Sequence, residues 1–200
     1  MKIILIGANG TVGKYVFQAL NPETHEIIRV GRSSGDFRAD LKKPESIAEL
    51  YHKIGPFDAL VCTAGEVSFA PLQSITVEQW NHGLQSKLLG QINLVQQGIP
   101  LIRDRGSFTL ISGVLSEQFI LGGTSATLVN RALEGFVQSA ACELPRGLRV
   151  NVVSPTLLKD SVEKYGDSFP GFVPVEGEKV GQAFKRSVFG IQTGQIYRVV

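Results

Sequence analysis

The sequence has few of the residues that support disulfide, metal or nucleic-acid chemistry. It contains two cysteines, Cys62 and Cys142, among 200 residues, which is too few for a disulfide framework. Its 3 histidines are scattered, with no carboxylate or cysteine at ligand spacing, so we expect no metal site. The 20 basic and 18 acidic residues leave a formal charge of +2, and no run of Lys or Arg forms a phosphate-binding patch. Nucleic acid is therefore not an expected partner.

Long apolar segments are also missing. The first apolar run, residues 3–6, is far shorter than the roughly 18 residues of a membrane span, and the start of the chain lacks the cleavage pattern of a signal peptide. Hydrophobic residues make up 43% of the chain, which is enough to build a core and argues against disorder. We therefore expect a cytoplasmic protein with no membrane partner, folded as a single domain over residues 1–200.

Short β-branched and apolar runs alternate along the chain with longer runs of helical period. Strands are predicted at residues 2–6, 25–30, 38–41, 57–62, 107–112, 148–153 and 195–200. Helices are predicted at residues 11–20, 45–54, 77–103, 124–144 and 175–188. A turn at Asn21-Pro22 separates the first helix from the second strand, and residues 157–173 are expected to form a variable loop.

This alternation predicts a doubly wound α/β fold of the Rossmann type. Helices between successive strands carry the chain back across a face of the sheet, which makes the sheet mostly parallel. Residues 3–6 are apolar at every position, as expected for a central strand when helices cover both faces. About seven strands result, and small molecules are expected beyond their carboxyl ends, at the point where strand order reverses.

A glycine cluster lies between the first predicted strand and the first predicted helix. The spacing is Gly-x-x-Gly-x-x-Gly, in the one context where such a fingerprint indicates a dinucleotide. Glycines permit positive φ and close backbone approach, and a helix N-terminus directs free N–H groups at a diphosphate. A plain strand-to-helix turn is the alternative, whereas Tyr15 after Lys14 excludes a kinase-type phosphate loop. The residues predicted to line the diphosphate are Gly7, Asn9, Gly10, Thr11, Val12 and Gly13.

The end of the second predicted strand indicates which dinucleotide binds. A site selective for NAD would carry an acid there for the ribose hydroxyl, whereas this sequence has Gly31-Arg32-Ser33-Ser34. The guanidinium of Arg32 suits a 2′-phosphate, and Ser33 adds a hydroxyl donor. We therefore predict NADP rather than NAD, with a solvated surface arginine as the alternative interpretation of Arg32.

The sequence resembles the short-chain dehydrogenase/reductase family from Gly7 to the end of the chain. The resemblance is carried by the glycine turn, Asp40-Leu41, Cys62-Thr63-Ala64-Gly65, Ile111-Ser112, residues 149–155 and residues 193–199. It implies that Asp40 and Leu41 contact the adenine. It also implies that Thr63, Ala64 and Gly65 belong to the nicotinamide side of the cofactor site, where Pro155 contacts the nicotinamide and Thr156 replaces the glycine that usually follows.

The residues that do the chemistry in this family are mostly replaced. Alignment puts Ala126 at the position of the catalytic Tyr, Asn130 at that of the Lys, and Lys87 at that of an Asn, so Ser112 is the one retained member of the four. Alanine has no proton to give to a substrate oxygen. The resemblance therefore implies an altered catalytic centre.

Three functions remain compatible with this pattern. The first is an NADP-dependent oxidoreductase acting on a small carbonyl or alcohol, in which Lys87 polarises the carbonyl with help from Ser112. The second is a catalytically silent NADP(H)-binding sensor or regulatory module, and the third is an interaction protein without nucleotide, which the intact glycines disfavour. Lys87 as a solvated helix lysine and Tyr165 as a replacement acid stay open as alternatives.

The predicted helix at residues 124–144 carries a wide apolar band. It exceeds one core-facing stripe, and the resembled family pairs through its long helices, so we expect a homodimer or homotetramer. A helix buried deep in its own core is the alternative. The band consists of Leu128, Val129, Ala132, Leu133, Phe136, Val137, Ala140 and Ala141.

Overall fold

The computed structural model describes residues 1–20 and 23–200, and over these ranges the chain forms seven strands. They are β1 (Lys2–Ile6), β2 (Glu26–Gly31), β3 (Phe37–Arg38), β4 (Phe57–Cys62), β5 (Ile102–Ile111), β6 (Arg149–Pro155) and β7 (Ile196–Val199). In the sheet they follow the order β3-β2-β1-β4-β5-β6-β7, and every neighbouring pair is parallel. The turn predicted at Asn21-Pro22 lies outside the described residues.

Helices connect these strands. They are α1 (Thr11–Ala19), α2 (Pro44–Ile54), α3 (Val77–Gly83), α4 (Gly90–Gly98), α5 (Thr124–Glu143), α6 (Val162–Tyr165) and α7 (Gly177–Phe189). A π-helical segment, Leu84–Leu89, joins α3 to α4. Among the helices of the described ranges, none is both long and apolar enough to cross a bilayer.

Alternate side chains of the central strand β1 pack on opposite faces of the sheet. Ile3 and Leu5 are fully buried in a core formed with α1 and α7. Ile4 and Ile6 lie in a second core, formed with α2, α4 and α5. Because both faces are covered, every position of residues 3–6 is apolar. The predicted doubly wound α/β fold is confirmed.

The prediction of one helix over residues 77–103 was wrong at its C-terminal end. Helical structure ends at Gly98, and β5 begins at Ile102, five residues before the predicted strand start at residue 107. Pro100 has no N–H to donate to a preceding carbonyl, so the helix cannot continue through it. Gly98 packs so closely on the Phe108 ring that an added Cβ would lie 2.8 Å from the ring edge.

The strand order reverses between β1 and β4, because β2 lies on one side of β1 and β4 on the other. A crevice opens beyond the carboxyl ends of these two strands. Gly7 follows β1 and Thr63 follows β4, and the Thr63 hydroxyl donates to the Ile6 carbonyl oxygen at 2.9 Å. The two loops that border the crevice are therefore tied together at their base.

Candidate functional site

The turn after β1 is so closely packed at Gly13 that a side chain there would displace backbone atoms. Gly7 has φ +84°, and its N–H donates to the Val30 carbonyl at 2.7 Å. A Cβ on Gly13 would lie 2.1 Å from the Gly7 carbonyl oxygen. The N-cap residue of α1, Gly10, places no side chain over the helix end. The first N–H groups of α1 are therefore open to an anion, as a diphosphate site requires.

Other predicted turn residues act through contacts to neighbouring loops. The Asn9 side-chain amide donates to Ser34 Oγ at 2.8 Å and joins the first turn to the loop after β2. Val12 packs on the core beneath α1, and Thr11 lies exposed at the first position of that helix. The side chains of Asn9 and Val12 thus help to hold the turn in place.

At the turn lies a pocket of about 190 Å³, formed by the loops that follow β1, β2, β3 and β4 and by the π-helical segment. Asp40 accepts the N–H of Lys42 at 3.1 Å and donates its own N–H to Ser46 Oγ at 3.1 Å, which shapes the floor after β3. Leu41 touches Gly90, where an added Cβ would lie 2.8 Å from Leu41 Cβ. The pocket brings together the predicted residues Gly7, Arg32, Ser33, Asp40, Leu41, Ala64 and Gly65.

An acid that the sequence did not predict as a site residue lies at the rim of this pocket. Glu66 Oε2 lies 3.3 Å from Arg32 Nη1 and 3.3 Å from His82 Nε2. Lys42 Nζ lies 3.0 Å from Nδ1 of the same histidine ring. These groups come from four separate segments of the chain, so no motif in the sequence could have indicated that they meet.

A second pocket, of about 220 Å³, lies beyond the ends of β5 and β6. It contains the predicted catalytic residues Lys87 and Ser112, the replaced positions Ala126 and Asn130, and Pro155. The rest of its wall is mostly apolar. The apolar side chains are Val67, Phe69, Val114, Leu115, Leu157, Leu158 and Phe169.

Lys87 is the cation at the polar end of this pocket. Its Nζ donates to the main-chain oxygen of Ser112 at 2.9 Å. Burial lowers the pKa of Lys87 from 10.5 to about 8, although Cys62 and Glu134 act in the opposite direction. An ammonium with this pKa exchanges its proton near neutral pH.

The π-helical segment decides where Lys87 points. Within it, Ser86 lines the pocket beside the glycine turn, whereas Lys87 lines the second pocket. Gly65 packs against this segment with φ +142°, and a Cβ there would lie 2.7 Å from Lys87 Cγ. π-Helical turns are frequent at functional sites, and here one places consecutive residues in the walls of two adjoining pockets.

The hydroxyl of Ser112 is already engaged by a buried acid. Ser112 Oγ donates to Glu134 Oε1 at 2.7 Å, and both residues are nearly inaccessible to solvent. The second oxygen of Glu134 has no partner among the described residues. Asn130 donates to the Gly113 carbonyl at 3.3 Å, so it links α5 to the end of β5. Sequence analysis did not identify Glu134, since only the folded chain brings α5 under Ser112.

Residues 157–176, which close the second pocket, are more structured than the predicted variable loop. They form α6 between short 3-10 turns at Lys159–Ser161 and Gly166–Ser168, and Tyr165 lines the pocket. The Tyr15 hydroxyl donates to Asp160 Oδ2 at 2.7 Å, and this bond raises the pKa of Tyr15 to about 12. Helix α1, which begins at the glycine turn, is thereby tied to the segment over the second pocket.

Comparison with known proteins places this architecture in a family. The family model described as enoyl-(acyl carrier protein) reductase matches residues 11–179. An uncharacterized oxidoreductase of Schizosaccharomyces pombe is 26% identical over 168 residues, covering 76% of this chain and 65% of that protein. Acetoacetyl-CoA reductase of Shinella zoogloeoides is 29% identical over 114 residues, covering 56% of this chain and 47% of that protein. The chain thus spans about half to two thirds of the length of these relatives.

Solved structures match the whole chain. The protein lin1944 from Listeria innocua is 46% identical, with a TM-score of 0.98 and coverage of 100% of both chains. A small-chain dehydrogenase in complex with NADPH is 22% identical, with a TM-score of 0.88 and coverage of 100% of this chain and 96% of that one. At this identity the similarity is one of fold. The family model, the parallel seven-stranded sheet and the glycine turn agree: the chain belongs to the short-chain dehydrogenase/reductase family.

Proposed function

We propose that this chain binds NADPH and reduces a small, largely apolar carbonyl compound, with Lys87 at the reacting oxygen. The proposal depends on one observation about the π-helical segment. Its consecutive residues line different pockets: Ser86 lines the pocket beside the glycine turn, called here the nucleotide-side pocket, and Lys87 lines the second, mostly apolar pocket. A ligand that spans both pockets has one part against the glycine turn and the other against the Lys87 ammonium.

The residues present fit a dinucleotide. Gly10 puts no side chain over the open N-terminus of α1, which suits a diphosphate, and the close packing of Gly7 and Gly13 holds the turn at that end of the helix. Arg32 and Ser33 stand at the rim where we place a 2′-phosphate, and the pocket over Asp40 and Leu41 would take the adenine. We assign Pro155, which lines the second pocket, to the nicotinamide side, and we move Ala64 and Gly65 from there to the pocket that they share with Arg32 and Asp40.

When bound, NADPH supplies a hydride to the carbonyl carbon. Lys87 donates a hydrogen bond to the carbonyl oxygen and stabilises the negative charge that develops there. As the carbon gains the hydride, the ammonium transfers a proton to that oxygen, so the product is an alcohol and Lys87 becomes a neutral amine. Solvent then returns the proton, which a lysine with a pKa of about 8 accepts readily at neutral pH.

We do not assign the Ser112 hydroxyl the role of a hydrogen-bond donor to the substrate carbonyl. Since its hydroxyl donates to Glu134, its free lone pairs face away from that carboxylate, while its main-chain oxygen orients the Lys87 ammonium. We propose that Ser112 orients Lys87 and that Ala126 and Asn130 shape the wall of the second pocket.

A catalytically silent NADP(H)-binding module is the second candidate. It is favoured by Ala126, which puts a methyl group at the family's tyrosine position, and by Asn130, which leaves a buried side-chain oxygen without a partner among the described residues. The two functions share the nucleotide and differ in turnover.

Two measurements separate these functions. Binding of NADPH is measured by titration calorimetry and by the shift in the melting temperature. An NADPH concentration of 100 times Kd should add about 2.7 kcal/mol to the free energy of unfolding. Oxidation of NADPH is then followed at 340 nm with a panel of apolar aldehydes and ketones. Binding with turnover supports the reductase, binding without any turnover supports the silent module, and no binding contradicts both.

Assembly is proposed from one face of α5. Val129, Leu133 and Val137 are buried in the chain's own core, whereas Leu128 and Ala132 remain exposed. We propose that this exposed side pairs with a second copy in a cytoplasmic homodimer or homotetramer. Sedimentation velocity of the wild type and of Leu128→Glu tests this, because a monomeric wild type would contradict it.

A further inference from the structure

An ion pair crosses the mouth of the nucleotide-side pocket. Arg32 follows β2 and Glu66 follows the Ala64-Gly65 segment after β4, so the pair joins loops on either side of β1. Arg32 Nη1 donates to Glu66 Oε2 at 3.3 Å, and both residues line the pocket. The guanidinium that suits a 2′-phosphate therefore already has an anionic partner.

The main chain at Glu66 is held in place. Its N–H donates to Ser86 Oγ at 3.0 Å, and Ser86 is almost fully buried in the π-helical segment. The preceding residue, Gly65, is pressed against Lys87 in a conformation with φ +142° that a side chain would not tolerate. The carboxylate can turn about its own side-chain bonds, but its attachment point stays at the rim.

Other polar and charged groups lie near this carboxylate. His82 Nε2 lies 3.3 Å from the same Glu66 oxygen, and Lys42 Nζ lies 3.0 Å from His82 Nδ1. Asp40 also lines the pocket, where its carboxylate accepts the main-chain N–H of Lys42. His82 and Arg32 therefore contact the same oxygen of the Glu66 carboxylate.

A phosphate and a carboxylate compete for one guanidinium. A monoester phosphate carries roughly −1.5 to −2 charges at neutral pH, so it pairs with Arg32 more strongly than Glu66 does but is repelled by Glu66 nearby. Two unit charges 4 Å apart in water interact by about 1 kcal/mol, or about fivefold in a binding constant. A ribose with a free 2′-hydroxyl meets no such repulsion, and a carboxylate can accept its hydrogen.

We propose that Glu66 is a specificity-determining residue of the coenzyme site, which competes with the 2′-phosphate for Arg32 and so limits the preference for NADPH over NADH. The proposal rests on the proposed function, since it requires that the pocket bind a pyridine dinucleotide. It assigns to Glu66 a role at the adenosine end of the coenzyme, separate from the chemistry at Lys87.

The test is the affinity of the full-length protein for NADPH and NADH in four forms. They are wild type, Glu66→Gln, Arg32→Met and the double variant, with Glu49→Gln, an exposed acid on α2, as the matched control. Glu66→Gln should increase the affinity for NADPH by about five- to tenfold and should leave the affinity for NADH unchanged or lower. The gain should vanish in the Arg32→Met background and shrink as salt is raised, and Glu49→Gln should change neither affinity.

The results distinguish a failure of the proposed function from a failure of the role of Glu66. If the wild type binds neither coenzyme, both the proposed function and this role of Glu66 are overturned. If it binds NADPH but Glu66→Gln leaves the ratio of the two affinities unchanged, or weakens NADPH, only the role of Glu66 is overturned. A gain that persists without Arg32 also overturns it, because the competition requires the guanidinium.

Discussion

The ammonium of Lys87 donates to the main-chain oxygen of Ser112 at 2.9 Å, which joins the π-helical segment to the residue after β5. A lysine ammonium has three hydrogens to donate, and this is its one hydrogen bond to the described residues. The remaining hydrogens are available to a ligand in the second pocket. This contact is the geometric basis for placing the chemistry at Lys87.

Replacing Lys87 by Met should remove turnover while NADPH still binds. Loss of one donor to a developing oxyanion typically lowers kcat by about 10²- to 10³-fold, and here the same group also supplies the proton. Steady-state kinetics with the best carbonyl substrate, together with NADPH calorimetry, provide the measurement. Lys185→Met, at an exposed position of α7, is the control and should behave as wild type. Turnover that survives in Lys87→Met would remove this residue from the mechanism.

Carbonyl reduction should decline as pH rises through about 8. Burial lowers the pKa of Lys87 to about 8, so the ammonium loses its proton in that range, and the proposed step needs the charged form. With NADPH saturating, kcat should be level at lower pH and fall about tenfold per pH unit well above the pKa. An activity that stays level up to about pH 10 would contradict the assignment.

The lowered pKa of Lys87 also predicts that the stability of the protein depends on pH. Between about 8 and 10.5 the unfolded chain keeps the Lys87 proton and the folded chain has released it. The unfolded state then binds more protons, so the free energy of unfolding should rise with pH across this window. Urea denaturation of the wild type and of Lys87→Met should show a steeper rise in the wild type; parallel curves would mean that the lysine is not shifted.

The double change Ala126→Tyr with Asn130→Lys should increase carbonyl reduction. Both residues line the second pocket and are at least 97% buried, so the new side chains would face the substrate space. A phenol with an adjacent ammonium supplies general acid catalysis worth roughly 10²- to 10⁴-fold at best, and some of that gain will be lost to crowding. Ala48→Tyr, at an exposed position of α2, is the control. A folded double variant that binds NADPH and gains nothing would contradict the expectation.

Two helical glycines should respond to alanine in opposite ways. At Gly13 a Cβ would lie 2.1 Å from the Gly7 carbonyl oxygen, so Gly13→Ala should cost about 1 to 3 kcal/mol and weaken NADPH binding. At Gly135 in α5 a Cβ meets nothing within 4 Å, so Gly135→Ala should stabilise by about 0.5 to 1 kcal/mol. Urea denaturation and NADPH titration measure both effects. Equal responses would show that the turn is not as closely packed as described.

The sequence was most informative where local pattern and local structure coincide. The alternation of strand and helix predicted the parallel sheet, and β4 was predicted with its observed bounds at 57–62. Failures occurred where a distant contact decides the outcome. Helical structure after Val77 stops at Gly98 because of Pro100 and the Phe108 ring, and the loop over residues 157–173 is ordered by contacts such as Tyr15 to Asp160.

The amino-acid order alone determined the family and the location of the glycine turn, because a strand, a glycine cluster and a helix are adjacent in the chain and need no distant partner to be identified. The tertiary structure decided which groups act together. Arg32 meets Glu66 and Ser112 meets Glu134 only after strands far apart in sequence pair side by side. Side-chain charges and hydrogen bonds act over a few ångströms, so their chemistry depends on distances that the linear order does not contain.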